Sequence, residues 1–141
     1  MATLAADSPR QYLPGDLSAY PVVATDVIYE GAAVGEDGSG YSRPLVAGDA
    51  FQGFAIEQAD NSDGSAGDID VTVRTKGKIQ LPIAAIGITA NDRAAVYASD
   101  DDTFTLTAAS NSLIGYVSRW VSTGYAIVEF DAALVKAALQ A

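Results

Sequence analysis

Short apolar and β-branched runs alternate with turn-forming clusters along most of the chain, from residue 22 to residue 130. The clearest run is residues 68–75, where Ile69, Val71 and Val73 alternate with polar residues, as in a strand buried on one face. Gly-, Asp- and Ser-rich clusters separate the runs, as at residues 35–40 and 60–67. Strands that recur about every 8–12 residues between turns are typical of an all-β sandwich or barrel. The pattern therefore predicts a β domain over residues 21–130.

The first twenty residues follow no strand or helix period. Ser-Pro, Leu-Pro and Tyr-Pro steps punctuate them, and proline at this density disfavours both helices and central strands. The sequence thus predicts an extended N-terminal arm over residues 1–20, with Leu4, Tyr12, Leu13 and Tyr20 as apolar anchors. Two interpretations stay open: a frayed terminus, or an arm that docks on a neighbouring subunit.

One short helix is predicted at the C-terminus, over residues 131–141. Asp131 is a suitable N-cap, and Ala, Leu and Lys dominate the residues after it. The pairs Leu134 with Ala138 and Val135 with Leu139 are spaced to share one side of that helix. At about ten residues the helix needs a surface to pack on.

Two stretches of the chain resemble each other. Each has an Asp that opens a strand, then a turn, then a Gly-aromatic-small step, which is Gly53-Phe54-Ala55 in the first and Gly115-Tyr116-Val117 in the second. Asp26 precedes its glycine by 27 positions and Asp92 by 23, a difference that a longer turn at residues 35–40 would absorb. The echo indicates two similar β units that cover each other's apolar faces, unless it is a coincidence.

The composition of the chain excludes several classes of function. The 141 residues contain no His and no Cys, which excludes thiol catalysis, His general-base chemistry, disulfides, and zinc and haem sites that rely on those ligands. With 8 Lys and Arg against 18 Asp and Glu, the net charge is −10, so few cations are available to neutralise nucleic-acid phosphates. No phosphate-binding glycine motif and no nucleophile elbow occurs. We therefore expect no enzyme, no cofactor and no nucleic-acid partner.

Two acidic clusters invite a metal interpretation. A calcium-loop alignment over residues 60–70 fails at its first ligand position, which falls on Ala59, so a hairpin loop is favoured. Asp100, Asp101 and Asp102 are adjacent on a turn and repel one another, so a solvated turn is favoured over a weak divalent-ion site. We expect no metal site.

Trp120 lies next to Arg119 near the end of a predicted strand. Core packing is the first interpretation of this tryptophan, and an interface anchor is the alternative, because Trp and Arg concentrate in interface hot spots.

Several segments of the β domain resemble the capsid cement, or head decoration, proteins of tailed bacteriophages. The resemblance covers residues 22–130 and leaves the arm and the helix aside. It is carried by these residues: Val34, Gly53-Phe54-Ala55, Val71-Thr72-Val73, Gly77, Leu81-Pro82, Asn91-Asp92, Val96-Tyr97, Ile114-Gly115-Tyr116-Val117 and Ala126-Ile127-Val128-Glu129-Phe130.

The resemblance implies an all-β fold, namely a small β-barrel or β-tulip-like sandwich. It implies a homotrimer on the outer surface of a phage capsid, with the major capsid protein as partner and no membrane. The first ten residues have no basic segment followed by an apolar one, so we expect synthesis in the host cytoplasm. Our expected capsid or subunit contacts are Tyr12, Leu13, Pro14, Tyr20, Arg119 and Trp120.

An alternative function is a carbohydrate- or receptor-binding β-module of a phage fibre or head. Such a site needs an exposed aromatic platform, which Tyr41, Tyr116, Trp120 and Tyr125 could supply.

Overall fold

The computed structural model describes residues 3–140. Met1, Ala2 and Ala141, which belong to the predicted arm and helix, lie outside the described residues. Within them the chain forms twelve strands, one 3₁₀ helix (Ile88–Asp92) and one α-helix, α1 (Ala132–Gln140). The strands are β1 (Leu17–Pro21), β2 (Asp26–Ile28), β3 (Ala33–Glu36), β4 (Ser42–Pro44), β5 (Ala50–Ala55), β6 (Ala59–Asn61), β7 (Asp70–Arg74), β8 (Lys76–Pro82), β9 (Ala95–Ala98), β10 (Phe104–Thr105), β11 (Ser112–Ser122) and β12 (Tyr125–Asp131).

The predicted all-β fold is confirmed. Sheet 1 has the strand order β1-β7-β5-β3-β4, sheet 2 has the order β10-β9-β11-β12-β8, and β2 pairs with β6 in a separate ribbon. Every pair within these sheets is antiparallel, and the curled sheets form a half-barrel.

The two sheets repeat one topology. When the strands of each sheet are numbered in chain order, both sheets read 1-5-4-2-3 from one edge to the other. The residue after the first strand also makes the same parallel bridge to the opposite edge strand in both cases, Val22 to Ser42 and Ile83 to Phe104. Sheet 1 ends at Arg74 and sheet 2 begins at Lys76, so the chain is a tandem duplication of one five-stranded unit.

The register of the two units is also the same. Ala33 and Val34 pair with Phe54 and Gly53, and the residues 62 positions later, Ala95 and Val96, pair with Tyr116 and Gly115. Each pairing then skips one residue, Gln52 in β5 and Ile114 in β11, which is a β-bulge at the equivalent place.

The duplication confirms the Gly-aromatic part of the sequence echo and corrects the rest. Equivalent residues are 61 positions apart at Val22 and Ile83 and 62 positions apart from Ala33 and Ala95 on, so Asp26 corresponds to residue 87 or 88 and not to Asp92. The turn after β3 and the turn after β9 have equal lengths, so no insertion at residues 35–40 needs to be absorbed. The aspartates misled the alignment because an Asp opens a strand only in the first unit, whereas Asp92 ends the 3₁₀ helix.

Two clusters of buried side chains form the core. The smaller one lies between sheet 1 and the β2–β6 ribbon and includes Val22, Ile28, Val34, Val71 and Val73. The larger one joins both sheets, and its centre is a group of edge-to-face or tilted aromatic rings. Ring centroids are 4.9 Å apart for Phe54 and Phe130, 5.5 Å for Phe54 and Phe51, and 6.0 Å for Phe54 and Phe104.

The helix α1 begins where it was predicted. The Asp131 carboxylate accepts hydrogen bonds from the backbone N–H groups of Ala133 and Leu134, both at 3.1 Å, which makes it the N-cap. Val135 is buried in the larger core cluster, and the helix contacts β5 and β11. Leu139 does not share this packing, since it is 63% exposed.

The exposed N-terminal segment is shorter than the predicted arm. Residues 3–14 form no strand or helix, but residues 17–21 form β1, which pairs with β7 along its whole length. Pro21 is tolerated there because β1 is an edge strand and Pro21 is its last residue. Tyr20 therefore belongs to the β domain.

Candidate interaction surfaces

The N-terminal segment (residues 3–14) carries three large apolar side chains that are exposed to solvent. Leu4, Tyr12 and Leu13 are 70%, 87% and 76% exposed, and Pro14 is exposed as well. The base of the segment is fixed, because the carbonyl of Asp16 accepts a hydrogen bond from the N–H of Thr75 and its carboxylate pairs with Arg74 at 2.9 Å. The segment thus carries three of the predicted contact residues from a fixed base.

Two of the other predicted contact residues are committed to packing. Tyr20 packs against the smaller core cluster. Trp120 packs against the larger one, and its indole N–H donates to the carbonyl of Ile86 at 3.1 Å. Its backbone N–H also donates to the side chain of Asn91 at 2.6 Å, which ties β11 to the 3₁₀ helix. Arg119 is exposed.

A groove lies between α1 and the outer face of sheet 2. Ala95, Leu113 and Tyr116 form its floor, Leu134 and Ala138 of α1 form one wall, and the cavity measures about 220 Å³. Glu129 and Asp131 lie at its rim. Glu129, with burial, raises the pKa of the Tyr116 phenol, and the guanidinium of Arg93 lies 5.5 Å from the centre of the Tyr116 ring.

A second, wider cleft of about 500 Å³ lies at the junction of the two units. Tyr29, which is 61% exposed, forms one side, and Asp101 and Asp102 form the other. The carbonyl of Asp101 accepts a hydrogen bond from Ala33 at 2.9 Å, so this acidic turn is joined to sheet 1. Burial and the charges of the neighbouring aspartates raise the pKa of Asp101.

The turn places the neighbouring Asp100 differently. Its carboxylate accepts hydrogen bonds from the N–H of Asp102 at 2.9 Å and from the hydroxyl of Thr103 at 3.1 Å, which lower its pKa. The carboxylate of Asp100 is therefore engaged within the turn, and the backbone of Asp101 joins the turn to sheet 1.

The loop over residues 60–70 is braced by its own polar groups. The Asn61 amide is buried and donates to the carbonyls of Val23 and Ser65 at 2.8 and 3.0 Å. The carboxylates of Asp60 and Asp68 accept hydrogen bonds from loop N–H groups. Across residues 3–140, no three acidic side chains lie close enough together to hold a metal ion.

No family model, no curated protein and no solved structure matches this chain. Within the described part of the chain, no helix has the length and apolar character that a membrane span requires.

Neither the groove nor the Tyr29 cleft is predicted by the sequence. Leu113, Tyr116 and Leu134 were assigned to strands or to the helix, but no local pattern shows that three separate elements meet at one groove. The echo contained a usable signal, because it aligned Gly115-Tyr116 with Gly53-Phe54 and so predicted equivalent places for the two aromatic rings.

Proposed function

We propose that this chain is a structural virion protein that binds the outer surface of a phage capsid as a trimer and stabilises the shell by bridging neighbouring capsomers. The observation that carries the proposal is the N-terminal segment, whose Leu4, Tyr12 and Leu13 are exposed although its base is fixed to the β domain. Large apolar side chains held in water at the end of a firm scaffold favour a partner surface.

The β domain suits this role because its two sheets share buried apolar packing and its buried polar side chains are hydrogen-bonded. Two sheets with the same topology share one core, and within residues 3–140 every buried polar side-chain atom has a hydrogen-bond partner. A bridging protein has to transmit load between its contacts, and a close-packed interior transmits strain with little deformation. The resemblance of residues 22–130 to capsid cement proteins supports the same role.

The charge of −10 supports the proposal in a second way. Net charge far from zero keeps free subunits soluble before they assemble, and an acidic protein has little affinity for packaged DNA. Three linked contacts in a trimer would also dissociate from a capsid far more slowly than one.

The test uses expanded capsids assembled from the major capsid protein of the same phage. Purified chain is titrated onto them, and the bound copies per capsid are counted by quantitative gel densitometry. We expect saturable binding, with a plateau that is a multiple of three. A variant that lacks residues 1–14 keeps β1 and should fold, yet bind more weakly. Absence of saturable binding by the intact chain would overturn the proposal.

A carbohydrate-binding function is the second candidate, and the Tyr29 cleft is the observation that favours it. An exposed aromatic ring faces Asp101 and Asp102 across a cleft large enough for a sugar ring. Glycan-array binding that disappears in Tyr29→Ala and survives in Tyr125→Ala, an exposed tyrosine outside this cleft, would favour it. An array without binding would exclude it.

A further inference from the structure

The duplication shows that the groove beside α1 is a sheet face that lacks part of its cover. One face of sheet 1 carries Ala33, Phe51 and Phe54, which lie in the larger core cluster and are only 0%, 6% and 4% exposed. The equivalent residues of sheet 2, 62 positions later, are Ala95, Leu113 and Tyr116. Ala95 is exposed, and Leu113 and Tyr116 are only half-buried. The same face of the same unit is therefore core in one copy and groove in the other.

Helix α1 covers this face only in part. Val135 inserts into the core, but Leu134, which lines the groove, remains 57% exposed, and Ala138 one turn later is exposed too. The helix and the sheet thus leave the groove partly open, and its volume of about 220 Å³ would hold one or two large side chains. Apolar area of this kind gains roughly 25 cal/mol for each Å² that a partner removes from water.

The N-terminal segment supplies apolar side chains that have no place in the core of their own chain. Tyr12 and Leu13 are adjacent, and Pro14 holds Leu13 in an extended conformation. Residues 3–14 carry one cation, Arg10, and one anion, Asp7, so their charges balance. An extended strip with two large apolar side chains therefore matches the groove through its apolar lining.

We infer that the groove between α1 and sheet 2 is the docking site for the N-terminal segment, residues 3–14, of a second copy of this chain. The base of the segment lies close to the groove, because Asp16 lines a surface pocket together with Glu129 and Asp131. In the single chain the segment nevertheless stays exposed over residues 3–14 while the adjacent groove stays open. Docking on a second copy would bury the apolar side chains of the segment and fill the groove in the same contact.

Such a contact is head-to-tail, since the segment of one copy meets the groove of the next. A head-to-tail contact closes into a ring when the rotation between copies divides a full turn, and it builds an open filament when it does not. The inference rests on the proposed function for the number of subunits, which is three. It assigns the exposed side chains of the N-terminal segment to contacts between the subunits of the trimer, so the variant without residues 1–14 would bind capsids more weakly because its subunits are no longer linked. Arg119 and the Tyr29 cleft stay exposed for other partners.

Cysteine pairs test the contact directly, because the chain contains no cysteine of its own. Leu13→Cys is mixed with Ala138→Cys under mild oxidation, and non-reducing gels count the crosslinked chains. We expect a covalent dimer from the mixture and a covalent trimer from the double variant. The matched control replaces Ala138→Cys by Ala47→Cys, an exposed position in the turn between β4 and β5 and outside the groove, and should give at least tenfold less dimer.

Two results would overturn the inference. One is a double variant that forms only an internal crosslink within a single chain, which would place the segment in its own groove. The other is dimer formation no greater than in the Ala47→Cys control. Capsid binding of the intact chain is measured in parallel. Capsid binding without the crosslink removes this inference alone, whereas the crosslink without capsid binding removes the proposed function alone.

Discussion

The two five-stranded units of this chain have the same strand order, register and bulge, yet they differ in what covers one face of the sheet. That face carries Phe51 and Phe54 in sheet 1 and the equivalent Leu113 and Tyr116 in sheet 2. In sheet 1 this face lies in the larger core cluster, where Phe51 and Phe54 are buried. Sheet 2 leaves the equivalent Leu113 and Tyr116 at a groove that α1 only partly fills. In sheet 1 this face meets sheet 2 inside the chain, whereas in sheet 2 the same face meets only α1. A surface that is available to other molecules can therefore arise from the unequal covering of two similar sheets, and no sequence motif is needed to mark it.

The largest expected effect compares the two aromatic positions. Phe54→Ala should lower the free energy of unfolding by about 3–5 kcal/mol, because Phe54 is 4% exposed and contacts three aromatic rings. Tyr116→Ala should cost below about 1 kcal/mol, since its ring is half-buried at the groove. Urea unfolding measures both. Equal losses would show that the two faces are covered alike.

The two glycines of the echo should respond alike. A Cβ at Gly53 would lie 2.2 Å from the carbonyl oxygen of Arg74, and one at Gly115 would lie 2.1 Å from that of Glu129. Each neighbour is backbone in an adjacent strand, so Gly53→Ala and Gly115→Ala should each cost more than about 2 kcal/mol. Gly87→Ala, which meets no atom within 4 Å, is the control. If either variant is as stable as the control, the close approach is not equivalent in the two units.

A smaller effect separates the turns before β5 and β11. In the first, Asp49 accepts two hydrogen bonds from Arg43, at 2.8 and 3.0 Å, and the Asp49 side chain is only 8% exposed. In the second, the equivalent Asn111 donates one bond to the carbonyl of Thr107 at 3.1 Å. Asp49→Asn should cost about 1–2 kcal/mol, and Asn111→Ala about half as much. The comparison fails if the Asn111 variant loses more in thermal unfolding.

The smallest effect concerns the turns after β3 and β9. Asp101 lies at the junction of the units, where burial and the charge of Asp100 raise its pKa, whereas the equivalent Ser39 is exposed. A carboxyl with a raised folded pKa is favourable below its unfolded pKa, and stability falls as pH rises through the folded pKa. Asp101→Asn should therefore raise the unfolding free energy at pH 7 by up to about 0.5 kcal/mol.

The gain in Asp101→Asn should vanish below about pH 3, where the wild-type carboxyl is protonated in both states. Ser39→Asn serves as the matched control and should change nothing at either pH. A gain that persists in acid would assign the effect to packing and not to charge.

The sequence predicted the parts of the fold that depend on local signals. Alternation predicted β7, and the Asp131 N-cap predicted the start of α1. The sequence did not predict β1, because the prolines around it are tolerated only at a sheet edge, and edge position depends on the whole topology. The groove was missed for a similar reason, since β9, β11, β12 and α1 meet there only after the second sheet has formed.

Trp120 shows the same limit at a single residue. Its type and its neighbour Arg119 favoured core packing and left an interface anchor as the alternative. The structure commits most of its polar contacts to Ile86 and Asn91, partners that lie 34 and 29 residues away in the chain. Local sequence carries no information on contacts at that separation.

The heat resistance of the capsid tests the central claim most directly. DNA-filled heads that lack this protein are heated with and without saturating purified chain, and shell rupture is followed by the fluorescence of a dye that binds the released DNA. The account predicts that the intact chain raises the rupture temperature by several degrees, and that the variant without residues 1–14 raises it less at the same concentration. An unchanged rupture temperature with the intact chain at saturation would contradict it.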